Sequence, residues 1–109
     1  MAETRFLLVV STCPDSESAR QIADALVRSH LAACVSVLPK ALSVYRWQDS
    51  LESAEEHVLL IKTSKERYVE VQQTIRSLHP YELPEVIAVP IVQGLEEYLS
   101  WLADCVHER

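Results

Sequence analysis

Ala33-Cys34-Val35-Ser36-Val37-Leu38, then Pro39, then Leu42-Ser43-Val44-Tyr45-Arg46-Trp47 reads as one long, interrupted strand. Its return, His57-Val58-Leu59-Leu60-Ile61-Lys62-Thr63, comes after a polar stretch from Gln48 to Ser53 that is expected to form a hairpin tip. β-Branched and aromatic residues dominate both arms, and Pro39, which cannot donate to a ladder, marks a bulge or an edge. This hairpin decides the fold because a helical pattern lies on each side of it. Upstream, Asp15 or Ser16 can cap a helix whose apolar residues Ala19, Ile22, Ala23, Leu26 and Val27 keep a 3.6-residue period toward His30. Downstream, Ser64 can cap a second helix bearing Tyr68, Val71, Ile75 and Leu78, which Pro80 forbids from continuing.

The outer segments complete the pattern. Phe6 to Val10 is a short apolar strand before the first helix, Val86 to Val92 a strand after the second. Gly94 precedes a last amphipathic helix with Leu95, Tyr98, Leu99, Leu102 and Val106 on one side. The order βαββαβ plus a helix predicts an α+β, ferredoxin-like sandwich: a four-stranded sheet, two helices on one face, a long hairpin between the second and third strands and an added C-terminal helix. The 109 residues are read as one domain, 1–109.

Composition removes several functional classes. Net charge is −6 and no basic run occurs, so the phosphate attraction that underlies nucleic-acid binding is missing. Single-stranded RNA readout on a ferredoxin-like sheet would need exposed aromatics on the central strands, where only Phe6 is available. One glycine, Gly94, excludes a glycine-rich phosphate loop. No segment approaches the ~20 apolar residues of a membrane span, and no secretory leader pattern opens the chain. Together these two features predict a cytoplasmic protein. Cys13, Cys34 and Cys105 are an odd set without C-x-x-C spacing, which argues against a disulfide scaffold and a structural zinc site and leaves reduced thiols as the default. Cys34 and Cys105 read as small core residues.

The strands are apolar at successive positions, so whichever face the helices cover, apolar side chains remain on the other. A homo-oligomer built through that face and the hairpin is therefore expected. Tyr45 and Trp47, at i and i+2, share one face of their strand and are assigned to the oligomer interface.

Polar chemistry concentrates in His79-Pro80-Tyr81-Glu82-Leu83-Pro84-Glu85, a stiff turn between two φ-locking prolines. His79 offers an imidazole suited to copper, zinc or nickel, or else a helix-terminal histidine bonded to a carbonyl. Glu82 reads as solvated and Glu85 as a partner in a structural hydrogen bond. Cys13, just before a capped helix, sits where a thiol pKa can be lowered, which supplies the one enzymatic reading: a thiol redox protein using Cys13. No resolving cysteine accompanies it, and the chain is read as a non-enzyme. His30, His57 and His107 lie at element ends, where surface or capping roles outweigh ligation, and no functional role is assigned to them.

Leu31-Ala32-Ala33-Cys34-Val35, Tyr45-Arg46-Trp47, Ile61-Lys62-Thr63, the His79 to Glu85 turn and Tyr98-Leu99-Ser100-Trp101-Leu102 fall in the order and spacing of the CutA divalent-cation tolerance family. The resemblance covers almost the whole chain. It implies a cytoplasmic homotrimer of ferredoxin-like subunits, similar to PII signalling proteins, with a divalent-ion response. A PII-like module that binds a small ligand at subunit clefts is the alternative function. In copper-binding members the ligand pattern resembles a cysteine at the end of the first strand plus two consecutive histidines before the turn. Here those positions hold Ser11, Leu78 and His79, which leaves His79 and the nearby Cys13 as the metal candidates, for copper or another divalent cation bound weakly.

Overall fold

A computed structural model describes residues 5–107. Four strands, β1 (Phe6–Cys13), β2 (Cys34–Trp47), β3 (Ser50–Ser64) and β4 (Ile87–Pro90), form one sheet in the order β2-β3-β1-β4. Every neighbouring pair is antiparallel. Helices α1 (Ser16–Arg28) and α2 (Tyr68–Leu78) are the two crossovers, and α3 (Glu96–Cys105) is the last element. This is the expected ferredoxin-like arrangement with one added helix.

Local chemistry sets most boundaries. Asp15 caps α1 by accepting from the Ser18 backbone N–H at 2.8 Å. The helix ends in a Schellman motif: His30 takes the left-handed conformation (φ 60°), its N–H bonds Val27 O, and Leu31 N–H reaches back to Leu26 O. Histidine there is a capping residue, as expected of His30. Ser64 makes no cap bond; a 3-10 turn over Lys65–Arg67 comes first and α2 begins at Tyr68. Pro80 stops α2 by forcing His79 into extended backbone (φ −75°, ψ 136°).

Three strand limits differ from the sequence reading. β1 runs on to Cys13, since Ser11, Thr12 and Cys13 find ladder partners in Leu59, Val58 and His57. β3 begins at Ser50 rather than His57, and the tip is only Gln48-Asp49, both at positive φ (50° and 66°). Two consecutive left-handed residues match the twist of a tight hairpin, but Gln-Asp lacks the Asn-Gly signature that announces such a turn. β4 is confined to four residues and closes at Pro90. The expected irregularity near Pro39 is present: the β2–β3 register shifts between Leu38 and Ala41, with Lys40 at φ 61°.

Alternation assigns the two sheet faces. Val9, Ser11, Cys13, Leu59 and Ile61 point toward α1 and α2, where they meet Ala19, Ile22, Leu26, Val71 and Ile75 in the main core. Val27, on the same helical stripe, stays 41% exposed. The opposite face carries Leu8, Val10, Val58 and Leu60, only half-buried, with Ile87 and Val89 at 53% and 46% exposure. A smaller cluster of Phe6, Ala33, Leu102 and Val106 seats α3 at one end of that face and half-buries Cys105. Leu95 and Tyr98, placed on the helix's apolar side by periodicity, remain exposed. Cys34 is not a core residue: it lies half-buried on the open face, 3.9 Å from the Lys62 ammonium, which donates to Ser36 Oγ at 2.8 Å.

Beyond the bulge, Ala41–Trp47 and Ser50–Glu56 leave the sheet as a two-stranded ribbon. It stretches the Cα radius of gyration to 14.6 Å, against about 13 Å for a compact chain of this length. Leu42, Val44 and Leu51 stand on one ribbon face at 60–79% exposure, Tyr45 and Trp47 on the other at 44% and 45%.

Candidate functional site

The proline-bracketed turn folds back over the end of β1. His79, 8% exposed, is held by both ring nitrogens. Its Nε2–H donates to Thr12 O at 2.6 Å, and its Nδ1 accepts the Tyr81 backbone N–H at 3.0 Å. That pair of bonds assigns the neutral Nε2–H tautomer. The carbonyl it satisfies belongs to β1, not to the helix terminus expected from sequence; α2 is closed instead by the His79 backbone N–H on Ile75 O at 2.9 Å. Cys13 Sγ lies 3.7 Å from the same Nε2.

Cys13 is fully buried. Burial pushes its thiol above the ordinary value of 9.0, outweighing a bond from Ser18 that acts the other way. The lowering that a position beside a helix N-terminus allows is not found: the extended β1 draws the side chain into the core, where desolvation dominates. His57 stands directly across the ladder from Cys13, half-buried with Nδ1 lacking a hydrogen-bond partner. Sequence placed it at a strand end because the polar residues before it concealed the rest of β3.

Tyr81 completes the turn. Its ring stacks obliquely on His79 (centroids 4.8 Å apart), and its hydroxyl donates to Glu56 Oε2 at 2.8 Å. Burial and the Glu56 carboxylate together raise the phenol well above its usual range. Glu56, 6% exposed, is the buried carboxylate of the site; Glu85, assigned a structural bond from sequence, is exposed. No sequence signal marks Glu56, which lies 25 positions from its partner. Tyr45, Trp47, Tyr81, Glu56, Glu82 and Glu85 line a cleft of about 720 Å³ between ribbon and turn.

Among the described residues, no group of three or more His, Cys, Asp or Glu is arranged to hold a metal ion. Ser11 is fully buried and its hydroxyl has no partner, while Leu78 packs against the main core. Thus the two positions flanking the candidates carry no donor suited to a soft metal, and His79 Nε2 is already committed. The residues present do not fit a closed copper or zinc site.

Two effects on stability follow from these buried groups. Ser11→Ala removes an unsatisfied hydroxyl, and the unfolding free energy in urea is expected to rise by about 1 kcal/mol; a fall would mean the hydroxyl has a partner. Cys13 and Tyr81 both have raised folded-state values, so the stability they supply is present below their unfolded values of 9.0 and 10.0. It is lost as pH climbs above them. Melting temperature should therefore drop above pH 9, with a shallower drop for Cys13→Ala between pH 9 and 10. A profile that rises with pH would contradict this.

The sequence pattern of the CutA1 divalent ion tolerance protein family matches residues 7–105. The chain belongs to that family. It is 43% identical over 97 residues to the Divalent-cation tolerance protein CutA of Thermus thermophilus, covering 89% of this chain and 94% of that one. It is 45% identical over 97 residues to the Protein CutA homolog of Xenopus laevis, covering 89% of this chain but 64% of that longer protein. Among solved structures, CutA from Xylella fastidiosa superposes with a TM-score of 0.92 at 46% identity, covering 94% of this chain and 99% of that one. The family is defined by divalent-ion tolerance, and the fold agrees across it.

Proposed function

We propose that this family member is a non-enzymatic, cytoplasmic ion-response protein that works as a homotrimer and holds no resident metal. The open sheet face carries the proposal: Val10, Leu60, Ile87 and Val89 form an apolar surface that one copy does not cover. A two-stranded ribbon is marginal by itself, and Leu42 and Leu51, exposed on the face away from Tyr45 and Trp47, gain cover from a second copy. Most soluble homo-oligomers have closed symmetry, and the trimer is the form that the family resemblance implies. Three free cysteines agree with a reducing compartment, and no helix in the described residues is long and apolar enough to cross a membrane.

In this reading, copper or another divalent cation is a transient contact. Cys13 and His79 supply two donors at most, and His79 must release Thr12 O to bind. Calorimetric titration with copper or zinc should give dissociation constants weaker than roughly 1 μM, and Cys13→Ala should weaken them further. A tight isotherm that ignores Cys13→Ala sinks the reading. The assembly is tested by native mass spectrometry of protein purified without chelator: a trimer mass is expected, and a monomer at micromolar concentration refutes it.

A small PII-like ligand at the cleft is the second reading. The carboxylates and aromatic rings that line it favour this over a thiol redox role for Cys13.

A further inference from the structure

The cleft between ribbon and turn has a composition that selects its ligand. Its lining includes three aromatic rings, Tyr45, Trp47 and Tyr81, and three carboxylates, Glu56, Glu82 and Glu85, with Val44, Pro80 and Leu83 adding aliphatic surface. Among the described residues, no lysine, arginine or histidine lines it. Glu56 is the decisive group: it is 6% exposed, one oxygen takes the Tyr81 hydroxyl, and no described residue forms an ion pair with it. A carboxylate withdrawn from water without a counter-charge is costly, and a cation entering the cleft would offset that cost. The rings decide which kind of cation. Tyr45 and Trp47 project from the same strand face, and their faces attract a weakly hydrated positive charge but offer a small hydrated metal ion no ligand.

We infer that the cleft binds a small organic cation, an alkylammonium whose charge is met by Glu56 and whose carbon shell lies against Tyr45, Trp47 and Tyr81. The volume of about 720 Å³ is in the range of small-molecule sites. Glu82 and Glu85, exposed at the rim, add long-range attraction that salt screens. This inference rests on the small-ligand reading of the cleft and needs it to stay open in the assembled protein.

Choline and its neutral carbon isostere, 3,3-dimethylbutanol, separate charge from shape. Calorimetry on the full chain should give saturable choline binding, with the isostere about tenfold weaker or more. Glu56→Gln and Tyr45→Leu should each weaken choline about tenfold. Should Glu56→Gln fail to fold, the surface double variant Glu82→Gln/Glu85→Gln keeps the test, through weaker binding and a flatter salt dependence. Equal binding of choline and its isostere, or no saturable binding of choline, overturns the inference. So does choline binding that appears only when the assembly is broken by Val89→Asp, because a second copy's side chain then fills the cleft. A trimer mass without choline binding overturns the cation site alone; choline binding by a monomer overturns the assembly alone.

Discussion

Replacing His79 by alanine is expected to lower the unfolding free energy by about 3 kcal/mol, measured by urea denaturation. The imidazole is buried and its two nitrogens bind groups from different parts of the chain, Thr12 O at the end of β1 and the Tyr81 N–H in the turn. Truncation leaves both groups short of a partner and opens a cavity beside Cys13. Each unpaired buried group costs about 1–3 kcal/mol, and the lost ring packing adds to that. Partial rescue gives the mechanism. Asparagine can accept from Tyr81 N–H in the place of Nδ1, and glutamine can donate to Thr12 O in the place of Nε2, so His79→Asn and His79→Gln should each recover part of the loss. A His79→Ala variant as stable as the parent would show that the two bonds do not persist in solution.

Val89→Asp should abolish assembly while leaving the subunit folded. Val89 is 46% exposed on the edge strand β4, beside Leu8 on the open face, so a carboxylate there stays wet in a single chain. In an assembly that covers this face, the same carboxylate is buried without a partner, at a cost of about 3–5 kcal/mol per copy. The expected result is a monomer mass in native mass spectrometry, with far-ultraviolet dichroism unchanged. A variant that retains the parent's oligomeric mass would show that copies do not meet through this face.

Much of this molecule follows from short-range rules. The periodicities of α1 and α2, the cap at Asp15, the stop at Pro80 and the bulge after Leu38 all arise from neighbours a few residues apart. The ribbon follows no such local rule. Ser50 to Glu56 shows no apolar alternation because that arm packs on no core of its own chain, and the turn Gln48-Asp49 adopts positive φ without glycine or asparagine. His79 was legible as a residue with a role, but not which role. Its partners, Thr12 and Tyr81, come together only once β1 pairs with β3 and α2 returns over them. Glu56 gave no signal at all, being one acid in a polar stretch until the fold set it under Tyr81.

By itself, the order of residues determined the element sequence, the ferredoxin-like topology and the leftover apolar face, because hydrophobic period and turn chemistry are local and survive in any context; the family resemblance rested instead on five short motifs in register. Only the tertiary structure decided the chemistry of the site. It turned Cys13 inward, where desolvation keeps the thiol protonated, and it spent both nitrogens of His79 on backbone groups. It also raised an acidic, aromatic cleft from strands and a turn that are far apart in the chain. Burial and hydrogen bonding depend on which distant segments meet, and those encounters fix what a side chain can bind.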